Sequence, residues 1–546
     1  MQRLVENDVV ARLAERDASL FADDVQARQP VLHRMGWIDL AWKAAERLPQ
    51  YQSITEQVIA EGASDVVLLG MGGSSLASLV FSDVFGAAPG HPTLHVLDTT
   101  SPVTVSHLKD TLAPETTWFL VSSKSGTTIE PLSLYAIFRE WADGALGRPS
   151  AGRHFIVITD PGTPLEKLRQ KDVMRIALPA PANVGGRFSA LTAFGLMPAA
   201  LLGVDLGELI RRAEDMDRAC RAPEEDNPAA ALAAWIADAR ATGRDKLTIA
   251  ATARYAAFPL WIEQLIAEST GKEGTGVVPV PEAAMATPSG FGTDRAVLVM
   301  RSPGDYDLGA WAETVRAEGH PVFEVEILDE NNIGAEFVRW EYATAMLGFL
   351  LGINPFDEPD VGAAKQATLE VLVGAEVMPA VADIEGVWFT YAGGLAAPEE
   401  PAGDLVSALA PAFSARTAKD YLALLAYLPY DEARLASLRA AAPSIAAATG
   451  SAVCLELGPR YLHSTGQLHK GGPDEGIFIV ISTRDREDLK VPGQTFTLAR
   501  LHRAQAEGDL VTLADRGKPV VRVDLPDSEP STIAAFADAL RSAAGA

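Results

Sequence analysis

From residue 65 onward, short and nearly unbroken apolar runs alternate with stretches whose apolar positions recur every three or four residues. DVVLLG (65–70), TLHVLD (93–98), WFLVSS (118–123) and HFIVITD (154–160) make a first set of runs. KLTIAA (246–251), AVLVMR (296–301) and VFEVEIL (322–328) make a second, and GIFIVIS (476–482) and VVRVDL (520–525) belong to a third. Strands apolar on both sides must be covered on both sides, and where strand alternates with helix this marks a parallel sheet. The pattern predicts an α/β protein with two doubly wound parallel-sheet domains and a third, C-terminal α/β block. Ahead of them, Val9, Leu13 and Leu20 fall at helical spacing with charges between, which predicts a helical packing arm. The expected boundaries are 1–50 for the arm, 51–220 and 221–390 for the two domains, and 391–546 for the last block. An acidic connector, RAPEEDNP (221–228), and a Gly/Pro-rich stretch, AGGLAAPEEPAGD (392–404), read as the linkers.

The second and third blocks share a pattern. WAETVRAEGHPVFEVEI (311–327) resembles LVTLADRGKPVVRVDL (510–525), each reading as helix, glycine turn and strand, with Gly319 and Pro321 matching Gly517 and Pro519. Either the C-terminal third is a partial copy of an α/β layer already present, or two ordinary α/β units share the pattern by chance.

Charge narrows the range of partners. Lys and Arg number 46 against 72 Asp and Glu, a net charge of −26, which repels nucleic acid backbones and anionic membrane surfaces. The two cysteines, Cys220 and Cys454, form neither a CxxC pair nor a disulfide framework and suit a reducing compartment. The N-terminus lacks the basic-then-apolar order of a secretory signal, and the longest apolar stretches, such as 191–204 and 343–353, fall short of the roughly 18 residues a membrane helix needs. A cytoplasmic protein with no nucleic acid or membrane partner is expected.

Four loops carry candidate chemistry. VVLLGMGGSSLASLVF runs from a buried strand through Gly70, Gly72 and Gly73 into Ser74, Ser75 and a helix, so that a ligand can approach the backbone and free N–H groups face it. WFLVSSKSGTTIEPLSLY sets Ser122, Ser123, Lys124, Ser125, Thr127 and Thr128 between strand and helix. Hydroxyls, loop N–H groups and a helix N-terminus together make a nest for a terminal phosphate. NVGGRFSALTAFGL places Arg187 after two glycines, and LWIEQLIAESTGKEGTG delivers Glu268 at the end of an apolar helix. The glycine turn also resembles a dinucleotide-binding turn, with Asp98 at the end of the next strand imitating a ribose-binding carboxylate, but the third glycine of that pattern is missing. The scattered histidines give no metal-ligand spacing, and no GxSxG elbow occurs.

In this order the motifs GMGGSS, SSKSGTTIE, GGRFS, ESTGK and INPFDEPDVGAAK, over about residues 35–375, resemble the phosphoglucose isomerase family, which is built from two SIS-type domains. The resemblance implies reversible isomerisation of glucose 6-phosphate and fructose 6-phosphate through a cis-enediol, with no metal and no cofactor. It implies that Ser123, Ser125 and Thr128, with Lys124 beside them, hold the phosphate, and that Gly73 and Ser74 lie close to the sugar. It further assigns Glu130, in SSKSGTTIE, to substrate binding, Arg187 to the enediolate, Glu268 to the proton transfer between C1 and C2, and Lys365 to ring opening. A sugar phosphate is the implied partner, and the protein is expected as a monomer or homodimer.

Two positions depart from the family pattern. Glu358, in NPFDEPD, stands where many members have glutamine, and is assigned here to the substrate-binding set. The family's ring-opening histidine is expected between the Glu268 and Lys365 segments, where only His320 occurs, in an EGHPVF turn that does not fit. The expected motif lies instead in YLHSTGQLHKG (461–471), after the lysine, and offers His463. That arrangement resembles the isomerase part of fused transaldolase and phosphoglucose isomerase proteins. It suggests that the C-terminal block supplies in cis a histidine that ordinary dimeric members take from the neighbouring subunit. Competing readings are a non-catalytic SIS-type sugar-phosphate sensor, which would have no use for Arg187, Glu268, Lys365 and His463 together, an enzyme that also accepts mannose 6-phosphate, and a nucleotide-dependent dehydrogenase.

Overall fold

The apolar runs become strands because they are filled on both sides by helices. The computed structural model describes residues 1–282 and 285–546. β1 (Asp65–Leu69), β2 (Thr93–Leu97), β3 (Thr117–Ser122), β4 (Phe155–Thr159) and β5 (Ile176–Pro179) form a five-stranded sheet in the order β2-β1-β3-β4-β5, parallel throughout. β6 (Lys246–Ala251), β7 (Val278–Glu282), β8 (Arg295–Arg301) and β9 (Val322–Glu326) form a second parallel sheet in the order β7-β6-β8-β9. The third sheet contains β10 (Ala382–Ile384), β11 (Val387–Ala392), β12 (Tyr421–Ala426), β13 (Val453–Leu457), β14 (Gly476–Thr483) and β15 (Val520–Leu525), in the order β10-β11-β15-β14-β12-β13. Its β10–β11 hairpin hangs antiparallel on β15, and the other four strands are parallel.

All three sheets therefore share one winding: the second parallel strand lies outside the first, and the third and fourth follow on the other side. Within the matched segments, Gly319 and Gly517 both turn at positive φ (+88° and +72°) between a helix and the fourth parallel strand, where a side chain would be strained. The likeness of the two segments is thus a likeness of place in the fold.

Three sequence expectations need correction. The first fifty residues do not form a continuous helical arm. They fold as short pieces, among them Gln2–Glu6, Val9–Ala14 and Val25–Leu32, broken where Asp8 and Arg16 take positive φ and where Asp17 and Asp24 cap new turns. Their apolar residues Leu4, Val9, Leu13 and Trp37 enter the core that also holds Phe81 and Trp340. The connector 221–228 is a packed helix–helix turn rather than a loose linker. Buried Asn227 caps the helix Pro228–Ala241 and donates back to the Cys220 carbonyl at 2.6 Å, while Arg221 pairs with Asp217. Finally, the set of strands is larger than the apolar runs indicated: β5, β7 and β10 to β13 were not among them.

The third block is wedged against both others. Val491, Leu498 and Leu501 join Phe119 and Phe155 on one face of the first sheet, and Tyr421 and Phe478 pack with Val278 and Val280 of the second. Its helix Leu498–Asp515 runs along the helix Val361–Leu372, where Gly508 comes so close that a Cβ would lie 2.7 Å from the Thr368 nitrogen.

Candidate active site

In the first sheet the strand order reverses between β1 and β3, and the loops leaving these two strands open the crevice in which doubly wound proteins bind ligands. After β1, Gly72 turns with φ +52°, and Ser74 is tied down by Ser122, whose hydroxyl donates to its carbonyl at 2.8 Å. The glycines serve loops as much as any ligand. A Cβ on Gly73 would lie 2.2 Å from the Gly186 oxygen, and one on Gly72 would lie 2.7 Å from the His463 oxygen. The GMGGSS, GGRFS and HSTGQ segments meet backbone to backbone.

After β3 the chain forms a ring of hydroxyls at the N-terminus of the helix Ile129–Leu146. Ser123 Oγ donates to Thr128 Oγ1 at 3.0 Å, Thr127 Oγ1 donates to Ser125 Oγ at 3.0 Å, and Ser125 and Thr127 face solvent. Gly126, at φ +65°, makes this tight turn. Such a ring with a helix dipole behind it suits an anion. Lys124 is placed differently from its neighbours. Its Nζ donates to Asp160 at 2.5 Å and lies near the carbonyls of Pro181 and Ala182, and burial together with nearby Arg34 presses its pKa down against Asp160.

Arg187 sits on the short turn Gly186–Phe188 and is 2% exposed. Its Nε donates to Ser269 Oγ at 2.8 Å, and Nη2 donates to the carbonyls of Pro355 and Asp357 at 2.7 and 3.0 Å. Nη1 is shared between Glu268, at 2.9 Å, and Glu358, at 3.1 Å. Burial opposes its charge, but Glu268 and Glu358 together hold it above the ordinary range. Glu268 lies on the helix Phe258–Thr270. Burial drives its pKa up, Arg187 opposes that rise and Glu358 adds to it. Glu358 is also 3.4 Å from Arg34 of the N-terminal segment; burial raises its pKa, but Arg187 and Arg34 bring it below the ordinary value.

Facing this cluster, His463 ends the turn Arg460–His463 of the third block, and its Nε2 lies 3.0 Å from Glu130 Oε1. Glu130 is buried in the first turn of the helix behind the hydroxyl ring, and its pKa is lowered: burial works against the charge, and His463, then Lys365, outweigh it. Lys365 projects from the exposed side of the helix Val361–Leu372, close enough to act on Glu130. His320 lies elsewhere, against Phe291 with ring centroids 5.7 Å apart. Asp98 is taken as well: it accepts two bonds from Arg460, at 2.7 and 2.8 Å, and is fully buried, so it offers nothing to a ribose. Among the described residues, no cluster of three or more His, Cys, Asp or Glu side chains is placed to hold a metal ion, and no helix is long and apolar enough to cross a membrane.

Residues outside the sequence-based set hold the centre together. Gln264 Nε2 donates both to Glu268 Oε2 at 3.1 Å and to the His463 carbonyl at 2.8 Å, joining the second sheet's helix to the third block. Its spacing of four residues before Glu268 on one helix was the available signal. Buried Lys272 anchors the 354–357 loop through Asn354 and Asp357. Gln467 ties the helix Gly466–Gly471 to the Gly271 carbonyl at 2.9 Å and to Asp360 Oδ2 at 2.6 Å. Lys272 closes ESTGK and Gln467 closes HSTGQ, so both stand inside motifs that assigned them no role.

Comparison with known proteins agrees with the motif order. The family model described as phosphoglucose isomerase matches residues 42–290, which contain GMGGSS, SSKSGTTIE, GGRFS and ESTGK. The "Probable glucose-6-phosphate isomerase" of Halobacterium salinarum is 31% identical over 327 residues, covering 52% of this chain and 75% of that protein. The glucose-6-phosphate isomerase of Rubrobacter xylanophilus is 27% identical over 376 residues, 60% of this chain and 86% of that one. A crystallised hypothetical protein of Thermus thermophilus matches with a TM-score of 0.60 and 26% identity, over 68% of this chain and 96% of its own. On these relatives and on the loops they share with it, the chain belongs to the phosphoglucose isomerase family.

Proposed function

We propose that this chain interconverts glucose 6-phosphate and fructose 6-phosphate by proton transfer through a cis-enediol, at the crevice where Glu268 and Arg187 of the first two sheets meet His463 of the third block. Gln264 carries this reading: one amide bonds both the base and the histidine's backbone, so groups from distant parts of the chain converge on one place. The hydroxyls of Ser123, Ser125 and Thr128 hold the phosphate, remote from the reacting carbons, and fix the sugar's register. Lys124, occupied by Asp160, contributes field rather than a direct bond. Gly73 and Ser74 floor the pocket.

Ring opening moves one proton onto the ring oxygen and one off the C1 hydroxyl of the aldose as the C1–O5 bond breaks. His463, backed by Glu130, and Lys365 are the groups for these transfers. Glu268 then removes the proton from C2, the electron pair forms the C1–C2 double bond, and O1 gains a proton. Return of the proton to C1 with loss of the O2 proton leaves the ketose. Arg187 stabilises the oxyanion as it develops, and a fixed buried cation does so without reorganisation. Glu358 pairs with Arg187 and shapes its charge.

The late position of HSTGQ supports kinship with the isomerase part of fused transaldolase and phosphoglucose isomerase proteins, and the His463–Glu130 pair within one chain supports action in cis.

The test is conversion of fructose 6-phosphate to glucose 6-phosphate with EDTA present, read through a coupled dehydrogenase, beside Glu268→Gln. Wild-type turnover and a loss of about 10³-fold or more in kcat for the variant are expected, within the usual worth of positioned proton transfer. Equal turnover in the two proteins would remove Glu268 from the mechanism. Binding of the sugar phosphate without turnover by the wild type would point to a sensor.

A further inference from the structure

The third block reaches the acid–base centre through a second side chain. Glu130 Oε1 accepts from His463 Nε2 at 3.0 Å and also from Gln505 Nε2 at 2.7 Å. Behind Gln505, its amide oxygen accepts from Thr100 Oγ1 at 2.6 Å, and Thr100 Oγ1 lies 2.9 Å from His502 Nδ1. Gln505, Thr100 and Glu130 are all buried.

This line has one direction. A carboxylate can only accept, so Gln505 turns its NH₂ to Glu130 and its oxygen to Thr100. The single Thr100 hydroxyl proton then goes to Gln505, so the same oxygen accepts from His502, whose Nδ1 carries the hydrogen. Burial pushes His502 down to about 4, so it is a neutral imidazole near pH 7. Every donor in the line is directed toward Glu130, and Glu130 in turn faces His463.

We propose that Gln505 is a positioning residue for ring opening: its N–H bond holds the Glu130 carboxylate as the acceptor for His463 Nε2–H, which leaves His463 Nδ1 as the nitrogen that exchanges a proton with the sugar. This rests on the reading of His463 as the ring-opening group. Gln505 belongs to the helix Leu498–Asp515, outside every motif that carries the family resemblance.

The test separates ring opening from the later proton transfer. Fructose 6-phosphate must open its ring before reacting, whereas 5-deoxyfructose 6-phosphate has no O5 to close one, and its C1 proton exchange in D₂O reads Glu268 chemistry alone. Gln505→Leu is expected to lower fructose 6-phosphate turnover by about tenfold or more while changing the exchange rate less than about twofold, the His463→Ala profile in weaker form. In a His463→Ala background it should add no loss, because both act through one path. Thr100→Val, which breaks the line one bond further out, should give a smaller loss of the same kind, and it carries the test if circular dichroism shows Gln505→Leu unfolded. Equal losses in both assays, or a further tenfold loss on top of His463→Ala, would overturn the proposal. A wild-type protein with no isomerase turnover would instead overturn the functional reading beneath it.

Discussion

Two carboxylates compete for one guanidinium nitrogen at the centre of the site. Glu358 stands 3.1 Å from Arg187 Nη1 while Glu268 stands 2.9 Å from the same atom, and Glu358 adds to the upward push that burial gives Glu268. Around Glu268 the facing groups are Arg187, Glu358, Gln264 and Lys272; around Glu358 they are Arg187, Arg34, Lys272, Glu268 and Lys124. A base works only when ionised, so kcat/KM is expected to fall as pH drops through a value above the ordinary glutamate range. Glu358→Gln removes a negative neighbour, makes Glu268 easier to ionise, and should move that acid limb to lower pH. An unmoved limb in the pH profile of kcat/KM, or one shifted upward, would count against the coupling. At this scale the sequence carried Arg187 and Glu268 because motifs name them. Gln264 and Lys272 lie in the same segment as Glu268 and Gln505 lies outside every motif, yet none was given a role, since their partners, 4 to 375 positions away, are set by the fold.

At the scale of elements, contact between loops sets the geometry. Gly73 lies against the Gly186 carbonyl with no room for a methyl group, so Gly73→Ala must push the GMGGSS and GGRFS loops apart and carry Arg187 with the second. The expected outcome is loss of about tenfold or more in kcat/KM with a lowered Tm, since overpacking costs on the order of 1–3 kcal/mol. Unchanged kinetics would mean that the loops do not need this approach. The nine strands read from continuous apolar runs all formed. β7 was hidden by Pro279 and Pro281, which an edge strand tolerates, and β12 was hidden because its leucines and alanines favour helix until the sheet around them decides otherwise. The connector 221–228 read as a linker from composition alone, although the same Asn and Pro serve equally well to cap and start a helix.

Across the whole molecule, one winding recurs three times, and the third instance reaches into the first. Its strands β13-β12-β14-β15 repeat the order β2-β1-β3-β4, yet its polar residues point outward into the first block's crevice: His463 and Gln505 to Glu130, and Arg460 to Asp98. The late position of the HSTGQ motif told of this arrangement in sequence, but its consequence depended on a fold that brings residue 463 within 3.0 Å of residue 130. The central claim is that one chain holds the complete acid–base set. It is tested most directly by mixing Glu268→Gln with His463→Ala protein, each nearly inactive alone, and assaying fructose 6-phosphate turnover across a range of concentrations. The account predicts that activity stays at the sum of the two variants at every concentration. Recovery that grows with concentration would show that the histidine comes from a second chain, and would contradict it.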